Sequence, residues 1–164
     1  MENKILPQIS LLADKILVGM SIELSIVKNR TGDLFREFMP RRSEIQKTKN
    51  ANIFSLQEYP ADYFTQFDPT KVFTKWALIE VEGVETLPAG MEIFELKQGL
   101  YAVFQYRGLS SDKRIFNYIF TEWLPNSDYE LADRPHFEIL GEKFKIDKPD
   151  SEEEIWIPIQ LKRT

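Results

Sequence analysis

One acid stands alone in a short apolar run. Glu138 lies in His136-Phe137-Glu138-Ile139-Leu140, which reads as a β-strand whose side chains alternate between two faces. Alternation groups Glu138 with His136 and Leu140, opposite Phe137 and Ile139. Two chemistries suit such a group. On the floor of an apolar cleft the carboxylate neutralises a cationic ligand; with its pKa raised there it acts as a general base. The plain alternative is an acid on a solvated strand face. A second constellation is Glu154-Ile155-Trp156-Ile157-Pro158-Ile159. Glu154 and Trp156 are two apart and share a face, so a carboxylate and an indole π surface are offered to a cation together. The alternative is a core indole beside the solvated run Glu152-Glu153-Glu154. Trp76, Tyr101, Phe104 and Trp123 supply aromatic surface for a pocket wall or for core.

Other chemistries are excluded or left without residues. The 164-residue chain has no cysteine and one histidine, His136. Disulfide scaffolds, Cys-ligated zinc, iron–sulfur clusters and thiol nucleophiles are ruled out, and multi-His metal sites and Ser-His-Asp chemistry lack their imidazoles. No phosphate-binding glycine loop, paired metal-ligand spacing or nucleophile elbow is present. No metal, cofactor or catalytic residue is assigned; Glu138 takes the catalytic role if the protein is an enzyme. With 21 Lys+Arg against 26 Asp+Glu, the net charge of −5 argues against generic nucleic-acid binding. The uncharged runs fall short of the roughly 18–20 residues of a membrane span, so a cytoplasmic protein is expected. Twelve Phe, six Tyr and three Trp are too many for a solvated coil.

These candidates need a scaffold. Residues 5–12 and 15–26 read as strands, with a turn at 13–15; Met20, Ile22, Leu24 and Ile26 alternate with polar or small residues. A helix is expected over 32–45, kinked or ended in its first part by Pro40. Strands follow at 53–59 and 72–82, the latter with Trp76 and Leu78 on one side and Ala77, Ile79 and Val81 on the other. Two more strands, 91–96 and 100–107, meet at a Gln98-Gly99 turn. The most amphipathic helix is expected over 111–124, its stripe Ile115, Phe116, Ile119, Phe120, Trp123 and Leu124, with Pro125 and Asn126-Ser127-Asp128 ending it. Strands at 134–140 and 153–159 close the chain, and 161–164 is a tail. The order strand-strand-helix-strand-strand occurs twice. It suggests a single domain built of two pseudo-repeats, 5–83 and 90–160, offset by about 85 residues, with a ligand groove between them.

The sequence resembles the GyrI-like small-molecule-binding domain, the effector-binding domain of AraC-type and MerR-type transcription regulators. The resemblance is carried by Gly99-Leu100-Tyr101-Ala102-Val103-Phe104-Gln105-Tyr106-Arg107-Gly108, Trp123-Leu124-Pro125, Pro135-His136-Phe137-Glu138-Ile139-Leu140 and Glu154-Ile155-Trp156-Ile157-Pro158-Ile159. In the first half it rests on Val18-Gly19-Met20-Ser21 and Phe38-Met39-Pro40-Arg41-Arg42-Ser43-Glu44-Ile45. It implies an α+β fold of duplicated β-β-α-β-β units, an antiparallel sheet and two helices around a central groove. It implies a lipophilic or cationic organic ligand, with Glu138 as the central acid and Glu154, Trp156 and Trp123 beside it. Regulators of this kind attach the domain to a helix-turn-helix module, and 164 residues leave no room for one, so a standalone sensing or sequestering protein is expected. Two alternatives stay open: a cofactor-independent hydrolase of electrophilic small molecules with Glu138 as base, and a gyrase-inhibitor-like module acting on a protein partner such as gyrase or a regulator. Segments 62–70 and 143–152 are candidate lids.

Overall fold

The computed structural model describes residues 5–163. Its strands are β1 (Gln8–Leu12), β2 (Lys15–Leu24), β3 (Ile53–Glu58), β4 (Phe73–Glu80), β5 (Glu92–Leu96), β6 (Gly99–Arg107), β7 (Tyr129–Leu131), β8 (His136–Leu140) and β9 (Glu152–Leu161). Helix α1 spans Thr31–Phe38 and α2 spans Arg114–Tyr118; the short α3 is Leu124–Asn126. All nine strands join one antiparallel sheet in the order β1-β6-β9-β8-β3-β4-β2-β5, with β7 added beside β9. The molecule is α+β, as expected.

The two expected turns are not hairpins. Strand β1 does not pair with β2, nor β5 with β6. Instead β1 and β2 run as one line against β6 and β5, in one register from Gln8↔Val103 to Gly19↔Glu92. The linking residues lie side by side, and the Gln98 amide donates to Asp14 Oδ1 at 2.6 Å. Strand β1 stands at one end of the strand order and β2 next to the other end, yet only Ala13 and Asp14 separate them. A chain advances at most about 3.6 Å per residue, so the sheet must curl until its ends meet. Each half of the chain thereby lends its first strand to the other half.

Curling gives the sheet an inner and an outer face. Inward-pointing residues of seven strands form one cluster, including Leu17, Leu56, Leu78, Leu96, Tyr101 and Phe137. At its centre Phe137 lies 5.3 Å from Phe54 and stacks on Trp156 at 5.2 Å. Gly19 marks a tight point of the curl: a Cβ there would lie 1.8 Å from the Ala77 carbonyl oxygen, so only glycine lets β2 close on β4.

On the outer face α1 covers the first half of the sheet, burying Leu34 and Phe38 against Val18, Met20, Ala77 and Ile79. Helix α2 and the turn that follows it cover the second half, burying Ile115 and Ile119 against Ala102, Phe104, Ile155 and Ile157. Pro40 ends α1 as expected: the chain tightens into a 3-10 turn, Met39–Glu44. The second helical segment ends within the expected Asn126-Ser127-Asp128 cluster, at Asn126, and not at Pro125. A π-turn, Ile119–Trp123, precedes it, with the Leu124 amide donating to the Ile119 carbonyl, and Pro125 then sits in the first turn of α3, where its missing N–H has no partner to lose. The helical segment also starts three residues later than the amphipathic pattern suggests. Strand β7 was not expected, and Leu161, read as tail, belongs to β9; Thr164 lies outside the described residues.

Candidate functional site

Between the two helices the outer face of the sheet is formed by the central strands β3 and β8. Ser55 pairs with Glu138 and Gln57 with His136 across this line. In β8 the alternation runs as read: Phe137 and Ile139 join the inner cluster, while Glu138 faces outward. Glu138 is partly buried. Gln57, with its amide oriented to satisfy both ends, donates from Nε2 to Glu138 Oε2 and to the His136 carbonyl, both at 3.1 Å, and accepts from Lys75 Nζ. Lys75 (6% exposed) and His136 (5%) are buried. A charge row thus crosses the sheet from Lys75 on β4 through Gln57 on β3 to Glu138 on β8, with Glu153 on β9 beyond.

Aromatic side chains from both halves roof this row. Tyr59 meets the His136 ring edge-on at 5.0 Å, and Phe64 stacks on it at 5.3 Å. Tyr59 also packs against Tyr63, Phe64 and Phe73. Phe120, from the π-turn, reaches both His136 and Phe64. The floor therefore has apolar walls that shield its charges from solvent.

The titrating groups respond to that burial. Desolvation raises the Glu138 carboxyl above its ordinary value, and Lys75, Lys113 and the Gln57 hydrogen bond pull it partly back. Burial lowers Lys75, partly offset by Glu138. Glu153 is pushed up to about 7, first by burial and then by the charge of Glu138. Burial alone holds His136 down at about 3, so its ring is a neutral, stacked wall. Burial and the Glu138 charge together raise the Tyr59 phenol. Two poorly solvated carboxylates on one floor suit the capture of a cation; a carboxyl titrating near neutrality also suits proton exchange.

The remaining sequence candidates do not gather around Glu138. Trp156 and Glu154 share a face, as read, but it is the inner one. There Trp156 Nε1 donates to Glu154 Oε1 at 3.1 Å and Gln105 donates to Glu154 Oε2 at 2.9 Å. Trp156 forms one wall of a cavity of about 320 Å³ together with Leu11, Phe54 and Ile139, with Lys15, Asn52 and Glu80 also lining it. Tyr101 is fully buried, its hydroxyl donating to the Pro135 carbonyl at 2.8 Å. Trp76 is inner core, its indole N–H donating to Glu58 at 3.2 Å. Phe104 and Trp123 are on the outer side, edge to face at 5.3 Å, where they pack the second helical segment onto the sheet. The residues that do surround Glu138 are Gln57, Tyr59, Lys75 and Glu153, none of them singled out from the sequence. A signal existed: Lys75 shares its strand face with Ala77 and Ile79, and Glu153 with Ile155, Ile157 and Ile159. A charge in phase with an apolar face is either buried or misassigned.

Residues 8–159 match the Cass2 family, described as integron-associated effector binding protein. The chain belongs to this family. It is an effector-binding protein of the GyrI-like kind, and the binding of a small-molecule effector is the function its family indicates. Solved structures agree on the fold. SAV2435, solved bound to tetraphenylphosphonium, superposes with a TM-score of 0.67 at 16% identity, over 94% of this chain and 93% of that one. An integron cassette protein from the mobile metagenome of Vibrio cholerae gives 0.66 at 15% identity, over 94% and 96%. EcmrR, solved in a complex with DNA, gives 0.68 at 12% identity, over 96% of this chain and 59% of that one. Among curated proteins none matches significantly. Among the described residues no helix is long and apolar enough to cross a membrane.

Proposed function

We propose that this effector-binding protein captures small lipophilic cations in the outer groove, with Glu138 as their counter-charge, and that it senses or sequesters them in the cytoplasm. The observation that carries the reading is the position of Glu138: on the line between the half-sheets, partly buried, and on the same strand face as His136, whose ring is covered by Tyr59 and Phe64, with Phe120 behind them. Leaving such a carboxylate unpaired costs several kcal/mol, so the groove favours a ligand that brings a positive charge. The aromatic roof supplies apolar and cation–π surface. That SAV2435 was solved with tetraphenylphosphonium supports the same ligand class.

Ligand entry needs the roof to move. Segment 59–71 is held mostly by short-range bonds: Tyr63 N–H to the Pro60 carbonyl, Thr65 N–H to the Asp62 carbonyl, and Lys71 Nζ to the carbonyls of Asp62, Tyr63 and Gln66; one longer-range bond, from the Val27 N–H to the Pro69 carbonyl, anchors its far end. Such turn contacts open at low free energy compared with paired strands. We assign this segment as the lid. Thermal melting against a panel of lipophilic cations, neutral electrophiles and acids tests the reading. A ligand at 100 times its Kd adds about 2.7 kcal/mol of stability. Cations are expected to raise the melting temperature of the wild type and not of Glu138→Gln; equal shifts in both proteins would overturn the assignment.

A further inference from the structure

We propose that Lys75 is the resident cation of the effector groove: in the free protein its ammonium group balances Glu138, and a cationic effector binds by taking over that role. The inference rests on the reading of Glu138 as the effector's counter-charge and adds the residue that sets how strongly the groove prefers a cation.

Three observations carry it. Lys75 is a charge out of place: on the outer face of β4 it is in phase with Ala77 and Ile79, and it is 6% exposed. Lysines are almost never so buried without a partner. Its partner is specified by the amide between them. Gln57 lies between the two, its amide within hydrogen-bond reach of Lys75 Nζ at one end and of Glu138 at the other, and the assignment that satisfies both ends puts its carbonyl oxygen on Lys75 and its NH₂ on Glu138 Oε2. That orientation suits a cation at one end and an anion at the other; reversed, it would set donor against donor and acceptor against acceptor. The sheet register supplies the third observation. Ile22–Lys75–Gln57 forms a row across β2, β4 and β3, and the corresponding row of the second half is Tyr106–Glu153 on β6 and β9. The two halves thus flank the Ser55–Glu138 pair with a base on one side and an acid on the other. The charged and titratable groups facing Lys75 are Glu138, Glu153 and Lys113, and Tyr59 faces Glu138.

The consequence is a groove already half neutralised. An arriving cation gains the field of Glu138 and Glu153 but is opposed by Lys75, so Lys75 excludes weakly bound cations by like-charge repulsion. Removing it should strengthen cation binding while weakening the ligand-free fold, a combination that loss of a packing residue does not produce.

The test uses the full chain, tetraphenylphosphonium as probe, and isothermal titration calorimetry. Lys75→Met is expected to bind the probe at least about tenfold tighter than wild type and to melt at a lower temperature without ligand. Adding Glu138→Gln to Lys75→Met should abolish the tighter binding and recover part of the lost melting temperature. A folded Lys75→Met protein that binds the probe no more tightly than wild type would overturn the proposal. If Lys75→Met is too unstable to purify, Lys75→Gln, which removes the charge and keeps a polar tip, makes the same comparison. If wild type itself does not bind the probe, the reading of Glu138 fails, and the melting cycle alone decides the pairing: non-additive losses support it, additive losses overturn it.

Discussion

The two halves of the sheet are built on the same rows yet carry different chemistry. Met20–Ala77–Ser55 in the first half corresponds to Phe104–Ile155–Glu138 in the second, and Gly19–Leu78–Phe54 to Val103–Trp156–Phe137. Ser21–Trp76–Leu56 corresponds to Gln105–Glu154–Ile139. Where the first half places serine and lysine on the outer face, the second places Glu138 and Glu153. On the inner face the first half seals itself with Trp76, and the second leaves Trp156 on an open cavity. The lesson is a division of labour: corresponding positions hold the same places in the strand registers, while their side chains diverge so that one half carries Glu138 and Glu153 and the other Lys75 and the aromatic segment 59–71.

The largest effect should come from exchanging the Gly19 and Val103 types. Gly19→Val drives a side chain into the Ala77 carbonyl, which is sheet backbone and cannot yield. A loss of about 3 kcal/mol or more is expected, seen as little or no folded protein by circular dichroism. Val103→Gly only removes core volume and should still give a cooperative melt. If Gly19→Val folds normally, the tight closure of the first half is wrong.

The indoles come next. Trp76→Ala should cost about 3–5 kcal/mol, as for a fully packed aromatic. Trp156→Ala, with one side already facing a cavity, should cost clearly less in urea denaturation. Equal losses would remove the distinction between the sealed and the open half.

A smaller effect is pH-dependent. The folded-state pKa of Glu153 lies above its unfolded value, so the folded protein holds the extra proton, and stability falls as pH rises from about 4.5 towards about 7. Glu153→Gln should flatten that descent. His136 has the opposite sign: its folded pKa, about 3, is below the unfolded value of 6.5, so stability falls as pH drops through that interval. The two slopes oppose each other between about 4.5 and 6.5, so the wild-type melting temperature should be nearly flat there, and Glu153→Gln should expose the His136 contribution as a rise with pH across that interval. Smallest of all is Lys49→Ala. Lys49 is half exposed and shares Glu80 with Lys15, each at 3.4 Å, so its loss should change stability by less than about 0.5 kcal/mol.

Much of this could be read before the fold was known, because alternation within a strand is local. Trp76 and Leu78 fell on one face and Ala77 and Ile79 on the other, Glu138 fell opposite Phe137, and Pro40 closed α1. Relations between strands were less legible. Whether Glu138 and Trp156 face the same way depends on the register of β8 against β9, where Phe137 pairs with Trp156 and Glu138 with Ile155. A one-residue slip reverses every face, and the 85-residue offset read from the sequence contains one: the sheet aligns Leu17, not Ile16, with Tyr101. Ala13-Asp14 could as well have been a hairpin turn, because only the long-range pairing with β5 and β6 decides against it. The pairing of Lys75 with Glu138 through Gln57 spans three strands distant in sequence, and no spacing records it.

The central claim is that Glu138 is a poorly solvated carboxylate that serves as the counter-charge of a bound cation. Carbon-13 NMR of the Glu138 side-chain carboxyl, titrated with acid in the absence and presence of tetraphenylphosphonium, tests it most directly. The account predicts a midpoint above the ordinary glutamate range in the free protein, moving down when the cation binds. A midpoint at the ordinary value, unmoved by saturating cation, would contradict it.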